Sequence, residues 1–425
     1  MESEHRVSTL ELFFDLVFVF TITQLTVLLA DDLTLRGAGR VLLIFTVLFW
    51  MYGGYAYLTN QVPPDRPVRR LLIMLAMGAF LVCALAVPTA FGDGGVAFGL
   101  GYLVVVIMHS ALYTQAHGRG VLWFALPNAL SALSVTAAGL FDGVQALGLW
   151  ALALLFQFVT PVISRRATAS GAEAAEGKTI EEQLGGIGAA HFVERHGLLL
   201  IIVFGESIIA VGIGVGSLPL TFGILVGAFL TLAVGATLWW MYFVRDEGRA
   251  EHVFASCPPD RRFKLALRAY YYCFIPMLLG IAAFSAGVKK SIGHLGEQLP
   301  AGPALALAGG VACYLAGDVA FRLVLGIRPV RFRALAVVPV LATAAAGMRI
   351  GAVWQLTALV LVLVTALAAE SRSAGPGLDA GVDAGVDPRV DPAGAEPVAG
   401  PTAAPAAAGP AKGGAAGSGP GVTGS

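Results

Sequence analysis

The chemistry available to this 425-residue chain sits where ionisable side chains interrupt long apolar runs. Glu206, in GLLLIIVFGESIIAVG (197–212), is the sharpest case. It lies about nine residues into its run, or roughly 13 Å deep at 1.5 Å rise per residue. A carboxyl at that depth must be paired, protonated or turned to water. Such a group suits reversible proton binding; the competing role is a neutral Glu that ties helices together. Gly205 predicts a close helix approach, and Ser207 predicts a hydrogen bond across a helix pair.

Asp15 comes next. In ELFFDLVFVFTITQLT (11–26), Glu11 and Asp15 stand four apart on one helix face. An ion pair with an arginine from the 191–196 segment is one outcome, and a place on a proton path is the other. Thr23 and Gln24 lie deeper and need partners within a bundle. His109 is a third candidate, as a proton relay or as a packed hydrogen-bonding residue. Asp318 stands four residues before Arg322, which predicts an intrahelical pair. Asn128, Gln157 and Gln355 read as interhelical hydrogen bonders.

Several patterns argue against other chemistries. His191, Glu194 and His196 miss zincin spacing, so a polar helix start is expected there and no metal. Gly212, Gly214 and Gly216 follow an apolar run rather than a strand, so a flexible helix end is expected instead of a phosphate loop. Cys83, Cys257, Cys273 and Cys313 form no CxxC, and no disulfide or zinc site is expected. No nucleophile–base constellation stands out. The expectation is a protein that is not an enzyme and needs no cofactor.

The elements that must hold these residues follow from composition. Hydrophobic residues make up 57% of the chain and charged residues 13%, about half the charged share of soluble domains. That excludes a soluble enzyme, a nucleic-acid binder and a wholly disordered chain. A span needs about 20 apolar residues. Twelve such stretches occur, near 10–30, 38–58, 71–91, 96–116, 121–140, 143–163, 197–216, 220–243, 265–286, 301–321, 333–350 and 352–370. Continuous apolar runs rather than alternation exclude an outer-membrane barrel. The expected class is an all-α polytopic membrane protein whose first span, lacking a small-residue cleavage site, is retained.

Basic residues set the orientation. With the N-terminus in the cytoplasm, 22 of the 27 Lys and Arg fall on that side; Arg36, Arg40, Lys289, Lys290 and Arg349 fall opposite. An even number of spans with both termini cytoplasmic follows. Trp123, Trp239, Trp240 and Tyr270 to Tyr272 then mark an interfacial aromatic belt. From about 371 the composition turns to Gly, Pro, Ala and Asp, which predicts a disordered tail over 371–425. The four-residue spacing of Asp379, Asp383, Asp387 and Asp391 reads as low complexity rather than a calcium site.

The chain also echoes itself. Leu48-Phe49-Trp50-Met51-Tyr52 matches Leu238-Trp239-Trp240-Met241-Tyr242, and Pro63-Pro64-Asp65-Arg66 matches Pro258-Pro259-Asp260-Arg261. Two matches in one order predict two six-helix halves, 1–163 and 191–370, joined by a cytoplasmic linker 164–190. Six being even, the halves run parallel, and His109 and Asp318 become counterparts. Transporters commonly have such duplicated halves, with substrate sites between them.

The segments 11–26 and 191–212 closely resemble the two signature regions of the bacterial low-temperature-requirement protein A family, and the resemblance covers about 6–370. Its signature positions here are Glu11, Asp15, Gln24, His191, Glu194, Arg195, Gly205, Glu206 and Ser207. The resemblance implies a multi-pass protein of the bacterial plasma membrane and a link to growth in the cold; it supplies no substrate. The leading expectation is a secondary transporter coupling protons, through Glu206 and Asp15, to a small solute. Ser207, Gln24, His109 and Asp318 are further pathway candidates. An ion channel and a non-transporting protein for cold adaptation are the alternatives. The partners expected are lipid, protons and a solute, without nucleic acid.

Overall fold

Apolar side chains cannot satisfy a backbone inside lipid, so each long apolar run must close its own hydrogen bonds as a helix. The computed structural model describes residues 7–61, 66–117, 122–169 and 188–374, and every regular element among them is helical. The tail from 375, most of the linker (170–187) and Pro63 to Asp65 lie outside the described residues.

In the first part of the chain the helices are α1 (Thr9–Asp31), α2 (Leu35–Gln61), α3 (Pro67–Ala86), α4 (Gly95–His117), α5 (Leu122–Ala138) and α6 (Gly143–Ala169). Then come α7 (Ala189–Val215), α8 (Phe222–Phe243), two short helices α9 (Glu247–Ser256) and α10 (Pro259–Ala266), and α11 (Phe274–Ser291). The last are α12 (Ala301–Leu325), α13 (Arg331–Arg349) and α14 (Ala352–Ala374). Among the described residues, ten helices are long and apolar enough to cross a membrane. Two shorter apolar helices, Ala125–Ala138 and Gly143–Val159, fill the fifth and sixth expected positions.

Local signals set the ends. Ser8 caps α1 in a reciprocal box with Glu11, its backbone N–H donating to Glu11 Oε2 at 2.9 Å. Pro67 begins α3, and Gly326, at φ +73°, ends α12 in the left-handed region. One element escaped the sequence. Leu267–Tyr272 is π-helical, joining α10 to α11. Pro276 explains it: proline has no N–H for the Tyr272 carbonyl four residues back, and its ring crowds that carbonyl.

Packing partners recur in order. In the first set α1 lies on α2 and α3, α3 on α4, α4 on α5, α5 on α6, and α2 on α6. In the second α7 lies on α8 and α11, α11 on α12, α12 on α13, α13 on α14, and α8 on α14. The sets meet where α1 and α2 touch α7 and α11. Large apolar side chains such as Met74, Phe229, Leu335 and Leu361 face outward, where lipid contacts them.

Small residues let α11 and α12 approach closely. A Cβ on Gly310 would sit 2.4 Å from the Phe284 nitrogen, and one on Gly280 would sit 2.6 Å from the Gly310 oxygen. Gly310→Leu is expected to cost about 1–3 kcal/mol by overpacking. Thermal unfolding in detergent reads this as a lower midpoint, with Gly78→Leu on α3, where a Cβ meets open space, as the unchanged control.

The aromatic belt needs correction. Trp239, Trp240 and Tyr272 are exposed, but Tyr270 and Tyr271 are buried. Tyr271 stacks on Phe49 of α2 at 5.3 Å, and Tyr270 packs against His196 of α7 at 4.9 Å. The π turn aims successive rings into the two helix sets.

Candidate functional site

Burying a charge costs several kcal/mol unless it is paired and hydrogen-bonded. The described residues include six buried carboxyl groups: Glu11, Asp15, Glu206, Asp246, Asp318 and Glu370. Their partners divide them into three groups.

The first group joins α1, α2 and α7. Arg195 Nη1 donates to Glu11 Oε1 at 3.1 Å, and Nη2 donates to Asp15 Oδ1 at 3.0 Å. Nη1 also donates to the Thr59 hydroxyl of α2. The guanidinium lies over the rings of Phe14 and Tyr52, at 5.9 and 5.8 Å, which adds cation–π attraction in a dry site. His191 Nε2 stands 3.3 Å from Glu11 Oε2, and Asn60 Nδ2 stands 2.8 Å from His191 Nδ1. Asp15 is therefore in the ion pair that the 191–196 segment allowed for. His196 packs against Phe192 and Tyr270, well away from Glu11, and Glu194 is exposed.

The second group corrects an expectation. Asp318 does not pair with Arg322 one turn along its own helix. It accepts two hydrogen bonds from Arg333 Nη1 of α13, at 2.7 and 2.9 Å. Arg322 turns to Asp246, before α9, at 2.8 Å and to Glu370 of α14 at 2.6 Å. Arg333 also reaches Asp246 at 2.7 Å and Glu370 at 2.9 Å. All five side chains are at most 1% exposed. A guanidinium fork can serve several carboxylates at once, so interhelical partners outcompete the i,i+4 neighbour. Sequence reasoning missed Asp246 and Glu370 and counted Arg333 only among the cytoplasmic-side basic residues. A signal was there: Glu370 directly extends the apolar run in LVTALAAE, and Asp246 follows WWMYFV with only Arg245 between.

Glu206 stands apart. It is 1% exposed, and its Oε2 accepts a hydrogen bond from the Thr23 hydroxyl of α1 at 2.7 Å. Lys289, near the end of α11, is close enough to act on it electrostatically, with no ion pair described between them. Among the described buried carboxyls it alone has no arginine partner. It is the eighteenth residue of α7, about 16 Å along the axis from Arg195.

The two α1–α7 contacts also fix direction. Asp15 meets Arg195 near both helix starts, and Thr23 meets Glu206 further along both, so the helices run the same way. At the far end of α1, Asp31 pairs with Lys290 of α11 at 3.3 Å on an exposed surface.

Neighbours of Glu206 depart from expectation. Ser207 donates to the Phe204 carbonyl of its own helix at 2.8 Å, not across a helix pair. A Cβ on Gly205 would meet open space; the close glycine is Gly235 of α8, beside the Ser207 hydroxyl. Gln24 is half-buried on α1, near neither Arg network by any described bond. His109 is buried between the rings of Tyr55 and Tyr113, against Gly54 of α2. The amides behave as expected: Asn128 accepts from Trp50, Gln157 bonds Tyr102, and Gln355 donates to the Ala304 carbonyl.

Comparison with known proteins gives a family and a relative. The family model described as Bacterial low temperature requirement A protein (LtrA) matches residues 6–368. A protein of Rhizobium meliloti (strain 1021), named only as uncharacterized protein RA0937, is 28% identical over 321 residues, 73% of this chain and 75% of its own length. No solved structure matches the chain.

Proposed function

The chain belongs to the bacterial low temperature requirement A family, and we propose that it is a proton-coupled secondary transporter of a small solute, with Glu206 as the proton-exchanging group. One observation carries this reading. Five of the described buried carboxyls are each held by arginine, whereas Glu206 accepts from the Thr23 hydroxyl and forms no described ion pair. A carboxylate fixed in an arginine fork cannot take a proton without breaking the pair. A carboxyl facing threonine can change protonation by turning hydroxyl groups, at small structural cost. Intramembrane carboxyls of this kind mark proton and solute paths. On this reading Asp15 and Asp318 shape the bundle, and Glu206 works.

The architecture favours the same reading. Helix contacts recur in one order in the two sets, and α1 and α7 run the same way, as two parallel six-helix repeats would require. We take the halves as 1–163 and 191–370, with the shorter helices 125–138 and 143–159 counted as spans. Glu206 and Thr23 then lie between the halves.

The positive-inside count places both termini and the α9–α10 turn in the cytoplasm. Cys257 tests this without mutation: it is half-buried in that turn, Cys83 and Cys273 are buried, and the half-buried Cys313 lies within the apolar span α12, out of reach of a membrane-impermeant reagent. A membrane-impermeant thiol reagent is expected to label Cys257 in inside-out vesicles and not in right-side-out ones. The reverse pattern contradicts the orientation.

For transport, purified protein in liposomes is expected to move protons inward when one member of a panel is supplied. The panel comprises amino acids, sugars, organic acids, amines and inorganic cations. Unitary current steps in planar bilayers, or no proton movement across the panel by folded protein, would overturn the reading.

A further inference from the structure

The contact between α2 and α7 fixes the tautomer of one histidine ring. Asn60 ends α2, and two bonds to one residue fix its amide. Asn60 Oδ1 accepts from the Gly188 N–H at 2.9 Å, and Nδ2 donates to the Gly188 carbonyl at 3.2 Å. A flipped amide would set like against like at both atoms. The second N–H of Nδ2 therefore points at His191 Nδ1, 2.8 Å away, and that ring nitrogen must accept. The ring is then neutral, with its proton on Nε2, donating to Glu11 Oε2 at 3.3 Å.

Charged groups face the ring from several elements. From α1, Glu11 and Asp15 face the site; from α7, Arg195 is the one fixed cation, with Glu194 exposed beside it and His196 bonded to the Phe192 carbonyl of its own helix. From α2 come Thr59 and Asn60, both uncharged; from α9, Glu247 reaches α7 at Gly197. Two carboxylates thus share one guanidinium, and a proton on His191 would balance them. Taking that proton puts an N–H on Nδ1 facing the Asn60 N–H, so the α2–α7 contact must open. His191 is 11% exposed, enough for water to reach it.

We propose that His191 is a proton-binding site whose occupation releases the end of α2 from the start of α7. The site stands on the Asn60–Gly188–His191–Glu11 geometry and does not need Glu206 to carry protons. Protonation draws His191 toward Glu11 and costs the Asn60 bond, so acid loosens this contact while strengthening the one to α1. The device couples pH at one membrane face to a helix contact.

Full-length protein in lipid nanodiscs gives the test, with histidine-ring nitrogen NMR and amide hydrogen exchange in parallel. In alkaline buffer His191 is expected as the neutral ring protonated on Nε2. In acid it becomes doubly protonated, and exchange over 188–196, corrected for its intrinsic pH dependence, should rise about tenfold, the scale of a lost hydrogen bond. Asn60→Asp offers Nδ1 an acceptor, so the acid-induced rise should shrink to under about twofold. His191→Gln should abolish the pH dependence of exchange. A proton on Nδ1 in alkaline buffer overturns the proposal, as does protonation without faster exchange or an undiminished rise in His191→Gln. The wild-type measurements decide the matter even if neither variant folds.

Discussion

Glu206→Gln is expected to lower solute-coupled proton flux in liposomes by on the order of 100-fold or more, the scale on which losing a proton-transferring group acts. Glutamine has nearly the volume of glutamate, and its carbonyl oxygen can still accept from Thr23. Folding should therefore be preserved, with a thermal midpoint close to that of the wild type. A more specific signature accompanies the loss. A carrier unable to release its proton cannot complete a net cycle, yet it can still exchange solute for solute across the membrane. Glu206→Gln should retain that exchange while losing uphill uptake. Loss of both together with loss of fold would instead mark Glu206 as a helix tie.

Arg333→Met should have the largest effect on stability. Arg333 donates to Asp318, Asp246 and Glu370, and its Nη2 reaches the Met241 carbonyl at 3.1 Å. Removing it leaves Asp318 without its arginine and Asp246 and Glu370 with Arg322 alone. Breaking a buried pair by deleting one partner costs about 3–5 kcal/mol, and here one deletion strands several partners. The variant is expected to express poorly and to lose its cooperative thermal transition in detergent. Asp318→Leu combined with Arg333→Met removes the bidentate pair as a unit and should recover part of the loss. A double-mutant cycle checks this: the pair should show a coupling of about 0.5–3 kcal/mol, as contacting residues do. Additive effects would mean that Asp318 and Arg333 do not act together.

These two residues show how far the sequence could be read. Helix positions came directly from hydropathy, because a span's length is fixed by the bilayer. Ten of the twelve apolar stretches coincide with helices long and apolar enough to cross a membrane, and the fifth and sixth coincide with shorter apolar helices. Starts differ most at α7, where residues 189–196 extend the helix, and at α11, which begins at Phe274 after the π turn rather than at 265. Glu206 stood out because burial makes its cost visible in one dimension. The Asp15–Arg195 pair was within reach, since two charged segments of comparable depth needed partners.

Arg333 was not legible for a physical reason. A linear sequence exposes i,i+4 neighbours on one helix, and it conceals which helices meet. Asp318–Arg322 was the local solution; α12, α13, α14 and the turn before α9 supplied a better one through space. Asn60 was hidden similarly, since its importance comes from the Gly188 peptide 128 residues away. The π turn at Leu267–Tyr272 needed the three-dimensional consequence of Pro276. Gly205 shows the opposite error: a small residue beside a key one implied close packing, and the space there is open.

The central claim is that Glu206 exchanges its proton while the arginine-held carboxyls keep their charge. Infrared difference spectroscopy of the reconstituted protein, stepped between acidic and alkaline buffer, tests it without knowledge of the solute. One carboxylic-acid carbonyl band is expected to appear and vanish reversibly, to be absent from Glu206→Gln, and to persist in Asp15→Asn. A titrating band that survives in Glu206→Gln, or no titrating band at all, would contradict the account.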